Sequence, residues 1–376
     1  MEKNCGISMV IATKGRVQLL ENLVESIDRE RSRYSGPTEL LIVDDSSEQD
    51  AAAIRDMCER YDARYLFLTP SVSAKRNLGA REAQYPVVLF LDSDCLVTEN
   101  ILSEHARCYA ENEKTGAVCG LLEFVGEGGK FWDAVSKSQF VVCFDMAKWG
   151  RTVPWGTTAN FSIRKDVFER IGGFDENFPN KPGGEDVDFG LRIGKAGFEI
   201  AANPKALAYH DKATWTNVKG MYRRCWFYGN ADTYIMDKHP ERLIGQMPRR
   251  TLLYVFVLAL SVLLAFVVTP WCLLGFPLWL VSDVLGTSLV INRFAPYSKA
   301  TLREQLVIQS LIITNEAGFL KSCVTRGRWG FMFRQLAYFE NQIKGIAFNS
   351  SLLTLCLMIN ASLLMTFVLV VMKYLV

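Results

Sequence analysis

One stretch limits this chain more than any other. From Thr251 to Ile291 the sequence reads "TLLYVFVLALSVLLAFVVTPWCLLGFPLWLVSDVLGTSLVI", with Asp283 as its single charge. A bilayer core is crossed by about 20 apolar residues in a helix, so the run is about twice the length one crossing needs. Pro270 interrupts it near the middle, with Gly275 and Pro277 just beyond. The spacing predicts two spans, 251–269 and 272–291, joined by a tight hairpin. A second apolar run, "IAFNSSLLTLCLMINASLLMTFVLVVM", predicts a third span at 348–372. Runs this long and this free of charge have no use in a soluble core.

The basic residues set an orientation. Arg249 and Arg250 precede the first span, Arg293, Lys299 and Arg303 follow the second, and Arg326, Arg328, Arg334 and Lys344 precede the third. The hairpin tip has none. Positive loops stay on the cytoplasmic side, so the expectation is a multi-pass protein of the cell membrane with its large N-terminal part facing the cytoplasm. Residues 301–345 have helically spaced apolar positions interrupted by Asn315 and Glu316. A full span would bury both groups at a cost, so an amphipathic segment at the interface is expected there.

Net charge is only +2, and the basic excess sits after residue 291, which leaves the first 250 residues slightly acidic. A weakly acidic domain does not suit nucleic acid, which needs a basic face. Ten scattered cysteines with no C-x-x-C pair argue against a disulfide scaffold or a structural zinc site and for reduced thiols. The opening apolar run, Ile7–Ala12, is far too short for a signal-peptide core.

The first 215 residues read as an α/β domain. The runs "ISMVIA", "ELLIVDD", "ARYLFLT" and "PVVLFLD" are strand-like, and helical segments start near Arg16, Asp50 and Ser73, with Ser73 as a candidate N-cap. This alternation predicts a mostly parallel, Rossmann-like sheet with helices on both faces. Ligands of such sheets collect at the carboxyl ends of the strands. Those ends carry Thr13 and Arg16 in "ATKGR", Asp44 and Asp45 in "DDSS", and Asp92 and Asp94 in "DSD". No G-x-G-x-x-G follows the first strand and no G-x-x-x-x-G-K-[ST] occurs. Asp92 and Asp94 suit a hard divalent cation, Mg²⁺ or Mn²⁺, that shares its shell with phosphates; the bland alternative is a solvated turn.

Downstream, Gly183 and Gly184 precede Glu185, Asp186 and Asp188, which open a helix running to about Ala196. Acidic residues favour a first helical turn, so these are either cap residues or a catalytic pair. His210 closes the strand-like "ALAYH" and is either structural or a third metal ligand. Residues 216–250 predict an interfacial helical segment. There, Arg223, Arg224, Trp226, Phe227 and Tyr228 form either a membrane belt or a clamp for a diphosphate and its sugar or lipid.

Taken together, "VIATKGR", "LLIVDDSS", "SAKRNLGA", "VLFLDSD", "ANFSIRKDVFERIGGFDENF", "GEDVDFGLR" and "YH" resemble, in order, the family 2 glycosyltransferases with a GT-A fold, over Ile7–His210. The resemblance implies a nucleotide-sugar donor, with Thr13, Arg16, Asp44, Asp45 and Arg76 at the nucleotide, and Asp92, Asp94 and His210 on Mg²⁺ or Mn²⁺. It implies Asp186 as general base beside Glu185, and Arg223, Arg224, Trp226 and Trp155 near the diphosphate and acceptor. The reaction implied is an inverting displacement onto a lipid-linked or glycan acceptor near membrane lipids, in a monomer or a homo-oligomer. Loops 126–130 and 180–184 are candidates to close over the donor. "TKGR" replaces the commoner T-Y-N-R, and "MYRRCW" lacks the Gln of the Q-x-x-R-W of processive synthases. Two other readings stand beside this one: a subunit of a processive polysaccharide synthase, and an inactive scaffold.

Overall fold

The computed structural model describes residues 4–69, 71–179, 183–246, 249–294, 299–338, 370 and 373. The expected third span at 348–372 lies outside the described residues apart from Val370, and the loop 180–184 is described only at Gly183 and Gly184. The chain divides into two units: residues 1–128 with 139–217, and residues 129–138 with 218–376. The excursion of residues 129–138 into the second unit has no sequence signal.

In the first unit the strands are β1 (Ile7–Thr13), β2 (Thr38–Asp44), β3 (Arg64–Phe67), β4 (Val87–Asp92), β5 (Cys95–Val97), β6 (Thr115–Val125), β7 (Thr152–Val153), β8 (Asn160–Arg164) and β9 (Glu199–Asp211). They form one mixed, mostly parallel sheet in the order β3-β2-β1-β4-β8-β6-β9-β5, with β7 beside β9. The half β3-β2-β1-β4 is parallel throughout. Strand β8 enters antiparallel between β4 and β6. Successive residues of β1 and β4 face opposite sides of the sheet and nearly all are buried, so both faces are covered.

The covering helices are α1 (Val17–Arg31), α2 (Glu48–Arg60), α3 (Val72–Glu82) and α4 (Ile101–Glu111), then, after the excursion helix α5 (Lys130–Val135), α6 (Lys165–Ile171) and α7 (Glu185–Lys195). Ser71, not Ser73, caps α3: its hydroxyl accepts the Ala74 N–H at 3.3 Å. Gly79 of α3 rests against Val10 of β1 with no room for a Cβ. Chain order moves from β1 to β2 on one side and returns to β4 on the other. The crevice where a sheet of this kind takes ligands therefore lies at the carboxyl ends of β1 and β4.

The first unit closes with α8 (Ala213–Thr216); the second unit holds α5, α9 (Val218–Lys238), α10 (Arg250–Val267), α11 (Gly275–Phe294) and α12 (Leu302–Thr325), with a two-stranded ribbon of β10 (Leu243–Gly245) and β11 (Arg334–Leu336). Two stretches, Arg250–Val267 and Pro270–Ser288, are long and apolar enough to cross a membrane, and only 28% and 33% of them are buried. Core helices of a soluble protein would be mostly covered.

Residues 301–338 are made of more than one element. Helix α12 ends at Thr325, a 3₁₀ turn follows at Trp329–Phe333, and β11 comes next. Its interrupting polar groups have structural uses. Asn315 donates to the Cys225 carbonyl of α9 at 3.1 Å, and Glu316 accepts the Thr251 N–H and hydroxyl, each at 2.8 Å, at the start of α10. Helices α9 and α12 approach so closely that a Cβ on Gly229 or Gly318 would strike the opposing backbone at Asn315 or Trp226. Asp283, the lone charge of the apolar run, is buried and accepts the Tyr254 hydroxyl at 2.5 Å, with Arg250 3.8 Å away.

Candidate active site

The loop "TKGR" turns sharply because two consecutive residues, Gly15 (φ 62°) and Arg16 (φ 58°), are left-handed. That conformation is costly for arginine. The Gly15 N–H donates to the Ser46 hydroxyl at 2.6 Å, which ties the loop to the end of β2. The turn sends the Arg16 side chain back to Asp94, 2.9 Å away.

The two aspartates of "DDSS" part company. Asp44 is fully buried; it accepts the Ser46 N–H at 3.0 Å, the Ser46 hydroxyl, and the Tyr65 hydroxyl at 3.0 Å. Those contacts hold the turn and leave Asp44 no open face. Asp45 instead pairs with Lys75 of α3 and, at 3.4 Å, with Lys14. Lys75 also donates to the Thr13 carbonyl at 2.6 Å. Burial lowers the Lys75 amine against the opposing pull of Asp45 and Asp44.

Arg76, the next residue of α3, joins the two acidic motifs. One nitrogen donates to Asp92 at 3.0 Å and another to Glu185 at 3.1 Å. The guanidinium is buried over the Phe174 ring, 5.6 Å from its centroid. Phe174 stacks on Phe189 of α7 at 3.9 Å and meets Phe90 of β4 at 5.3 Å. Asn77 grips Phe174 on both backbone atoms, each at 2.8 Å. The sequence runs "SAKRN" and "GGF" thus build one support for Arg76. Burial works against its charge, but Asp92, Glu185 and Asp186 outweigh it and raise its proton affinity.

Gly183 and Gly184 take φ values of 111° and 94°, open to glycine and strained for other residues. They swing the chain into α7, whose first turn carries Glu185, Asp186 and Asp188. Asp188 is buried against Arg192 at 2.9 Å and is structural. Glu185 accepts from Arg76 and from the Gly183 N–H at 3.2 Å. Asp186 accepts the Val187 N–H at 2.9 Å. Burial, then the neighbouring Glu185 charge, pushes the Asp186 carboxyl up to about 7 against the pull of Arg76. A carboxylate with that affinity is suited to accept a proton near neutral pH. Trp155 packs against α7 at Gly190, where a Cβ would meet its backbone.

The "DSD" aspartates also diverge. Asp92 turns to Arg76, while Asp94 is buried between Arg16 and His210, whose Nε2 lies 3.6 Å away. The register of β5 on β9 pairs Cys95 directly with His210. The ligand atoms of Asp94, Cys95 and His210 lie within 4.8 Å of one another, and all three residues are buried. Sequence reasoning missed Cys95, since only the cross-strand register brings it to His210. Burial pushes its thiol well above the usual range, with Asp94 and Asp92 adding to the shift. His210 packs among Phe124, Phe144 and Trp215 at centroid distances of 5.3, 5.7 and 6.1 Å.

The remaining expected residues, Arg223, Arg224 and Trp226, lie on α9 in the second unit. Arg223 covers the Phe227 ring there at 5.5 Å.

Residues 8–231 match the family described as glycosyltransferase like family 2. Among curated relatives, the validoxylamine A glucosyltransferase of Streptomyces hygroscopicus subsp. jinggangensis (strain 5008) is 26% identical over 268 residues, 63% of this chain and 62% of the relative. The chondroitin synthase of Pasteurella multocida is 25% identical over 246 residues, 56% of this chain and 25% of the relative. The chain thus spans less than two thirds of the length of these relatives. Among solved structures, the mannosyltransferase PcManGT from Pyrobaculum calidifontis, in complex with GDP-Man and Mn²⁺, shares the fold: TM-score 0.52 and 16% identity over 84% of this chain and 86% of that one.

Proposed function

This chain belongs to the family 2 glycosyltransferases, and on that premise we propose that it transfers a sugar from a nucleotide-sugar to a lipid-linked or membrane-proximal acceptor by inverting displacement. The observation that carries the reading is the Arg76 bridge. It ties the metal-type aspartate Asp92 to Glu185 and sets Asp186, a carboxylate of raised proton affinity, beside them.

Thr13, Arg16 and Asp45 line the nucleotide end at the carboxyl ends of β1 and β2, with Asp44 and Lys75 holding the turn from beneath. Asp92, Asp94 and His210 offer carboxylate oxygens and an imidazole nitrogen, a donor set that fits Mg²⁺ or Mn²⁺. Such an ion, when bound, supplies positive charge toward the departing diphosphate. Asp186 takes the proton from the acceptor hydroxyl as that oxygen attacks the anomeric carbon. Glu185, paired with Arg76, adds to the raised proton affinity of Asp186. Trp155 forms an acceptor-side wall behind α7. Arg223, Arg224 and Trp226 are proposed for the diphosphate and acceptor.

The α10–α11 hairpin is proposed to anchor the chain in the cell membrane as a multi-pass protein, with the catalytic unit on the cytoplasmic face. The excess of Arg and Lys flanking the apolar runs supports that side. The likeness to a chondroitin synthase keeps a processive reading in view, and product length separates the two. The test is metal-dependent transfer or hydrolysis across a panel of nucleotide-sugars with membrane lipids present. One sugar per acceptor supports single transfer and a polymer supports the synthase. No turnover of any donor, with the protein folded, overturns both. In Asp94→Ala, metal-dependent nucleotide binding should be lost before metal-independent binding; an unchanged metal response removes Asp94 from the site.

A further inference from the structure

We infer that Cys95 makes the ion site at the end of β9 a mixed oxygen, nitrogen and sulfur site, selective for a borderline-soft divalent ion such as Zn²⁺ or Co²⁺ over Mg²⁺. The backbone carries the first part of the case. Cys95 and His210 are directly opposed in the antiparallel β5–β9 pair, so both side chains leave the same face of the sheet. Asp94 approaches from the turn before β5, and its Oδ1 lies 3.6 Å from His210 Nε2. Two ligands bonded to one tetrahedral ion at about 2.0–2.3 Å stand roughly 3.3–3.8 Å apart. The Asp94–His210 pair already has that separation, and all three ligand atoms fall within 4.8 Å.

Imidazole orientation carries the second part. The backbone carbonyl of Asp211 can only accept, so the contact from His210 Nδ1 at 3.1 Å places the proton on Nδ1. In the neutral ring this tautomer leaves the lone pair on Nε2, the nitrogen facing Asp94. This is the usual outer support of a metal-binding histidine. The third part is enclosure: Cys95, His210 and Asp94 are 1%, 3% and 5% exposed. Three protein ligands is the number that a zinc site with an open fourth position uses. A thiolate favours Zn²⁺ and Co²⁺ and gives nothing to Mg²⁺, which takes oxygen ligands.

This inference uses the glycosyltransferase reading only for the identity of the crevice, and its test reads the ion rather than transfer. Any site of this kind binds Zn²⁺ above Mn²⁺ by the general order of divalent affinities, so affinity order alone decides nothing. Co²⁺ titrated into the full chain should develop a thiolate-to-cobalt charge-transfer band that Cys95→Ser lacks. Zn²⁺ affinity should fall by about 100-fold or more in Cys95→Ser, since even outer supports of such sites are worth 10–100-fold. Mn²⁺ affinity should change by no more than about threefold, because the oxygen and nitrogen ligands remain. Should Cys95→Ser fail to fold, X-ray absorption of the unaltered protein with one equivalent of Zn²⁺ decides the matter: a sulfur neighbour near 2.3 Å supports the site. Absence of the band, a zinc shell without sulfur, or equal loss of Zn²⁺ and Mn²⁺ affinity overturns it. Nucleotide-sugar turnover that persists in any of those cases leaves the proposed activity standing.

Discussion

Arg76→Met tests the reasoning most severely, because the residue is buried and holds apart groups that otherwise repel. Two of its partners differ in weight. Glu185 is well covered, while Asp92 keeps 36% of its side chain exposed. Breaking a buried pair by removing one partner costs about 3–5 kcal/mol, and a half-exposed pair adds at most about 1 kcal/mol. For a unit of this size each kcal/mol moves the melting temperature by about 2–4 °C, so Arg76→Met should melt roughly 10 °C below the native chain at pH 7.5. The loss must also depend on pH. The folded-state affinity of Asp186 is raised to about 7, above the ordinary value of 3.8. The folded state therefore binds the extra proton, and its stability falls as pH rises from about 4 to about 7. Arg76 opposes that shift, so its removal should steepen the fall, and the deficit at pH 5.5 should be smaller than at pH 7.5. The double variant Arg76→Met/Glu185→Gln should recover part of it. Thermal unfolding followed by circular dichroism at both pH values is the assay. A melting temperature within about 2 °C of native at each pH would refute the bridge as a stabilising element.

Asp186→Asn should bind donor nucleotide within a few-fold of native and lose about 10²–10⁴ in transfer rate; calorimetry showing lost binding instead assigns Asp186 to the donor. In the native chain, turnover should decline as pH drops through about 7, where Asp186 takes up a proton, and a pH profile flat down to 5 removes it as base. Asn160→Ala should cost about 2–4 kcal/mol in denaturant unfolding, because its amide satisfies the Leu121 and Ala206 carbonyls and its carbonyl meets His105 at 2.9 Å, all inside the core. Gly229→Ala should destabilise the α9–α12 pair by at least about 1–3 kcal/mol, since the new methyl meets the Asn315 backbone; unchanged unfolding would mean the helices cross farther apart.

Much of the first unit was legible locally. Burial on both faces of β2 and β4 is written as unbroken apolar runs, and the acidic groups at their ends follow from where those runs stop. Paired glycines before three acidic residues announced α7, because backbone freedom and the helix dipole act over a few residues. What stayed hidden depended on pairing across distance. Asp44 and Asp45 are identical neighbours in sequence, yet one is sealed by Tyr65 and the other faces Lys75. Cys95 gained a role only from the β5–β9 register, and Asn315 and Glu316 only from the helices that α12 meets.

The sequence alone therefore determined the alternation of strand and helix, the crevice type and the length of the apolar hairpin, since each is set by periodicity or composition within one segment. Tertiary structure decided which carboxylates are free, which cations hold the others, and which thiol joins the histidine. Those outcomes are set by packing and charge neutralisation among segments that the chain brings together only when folded.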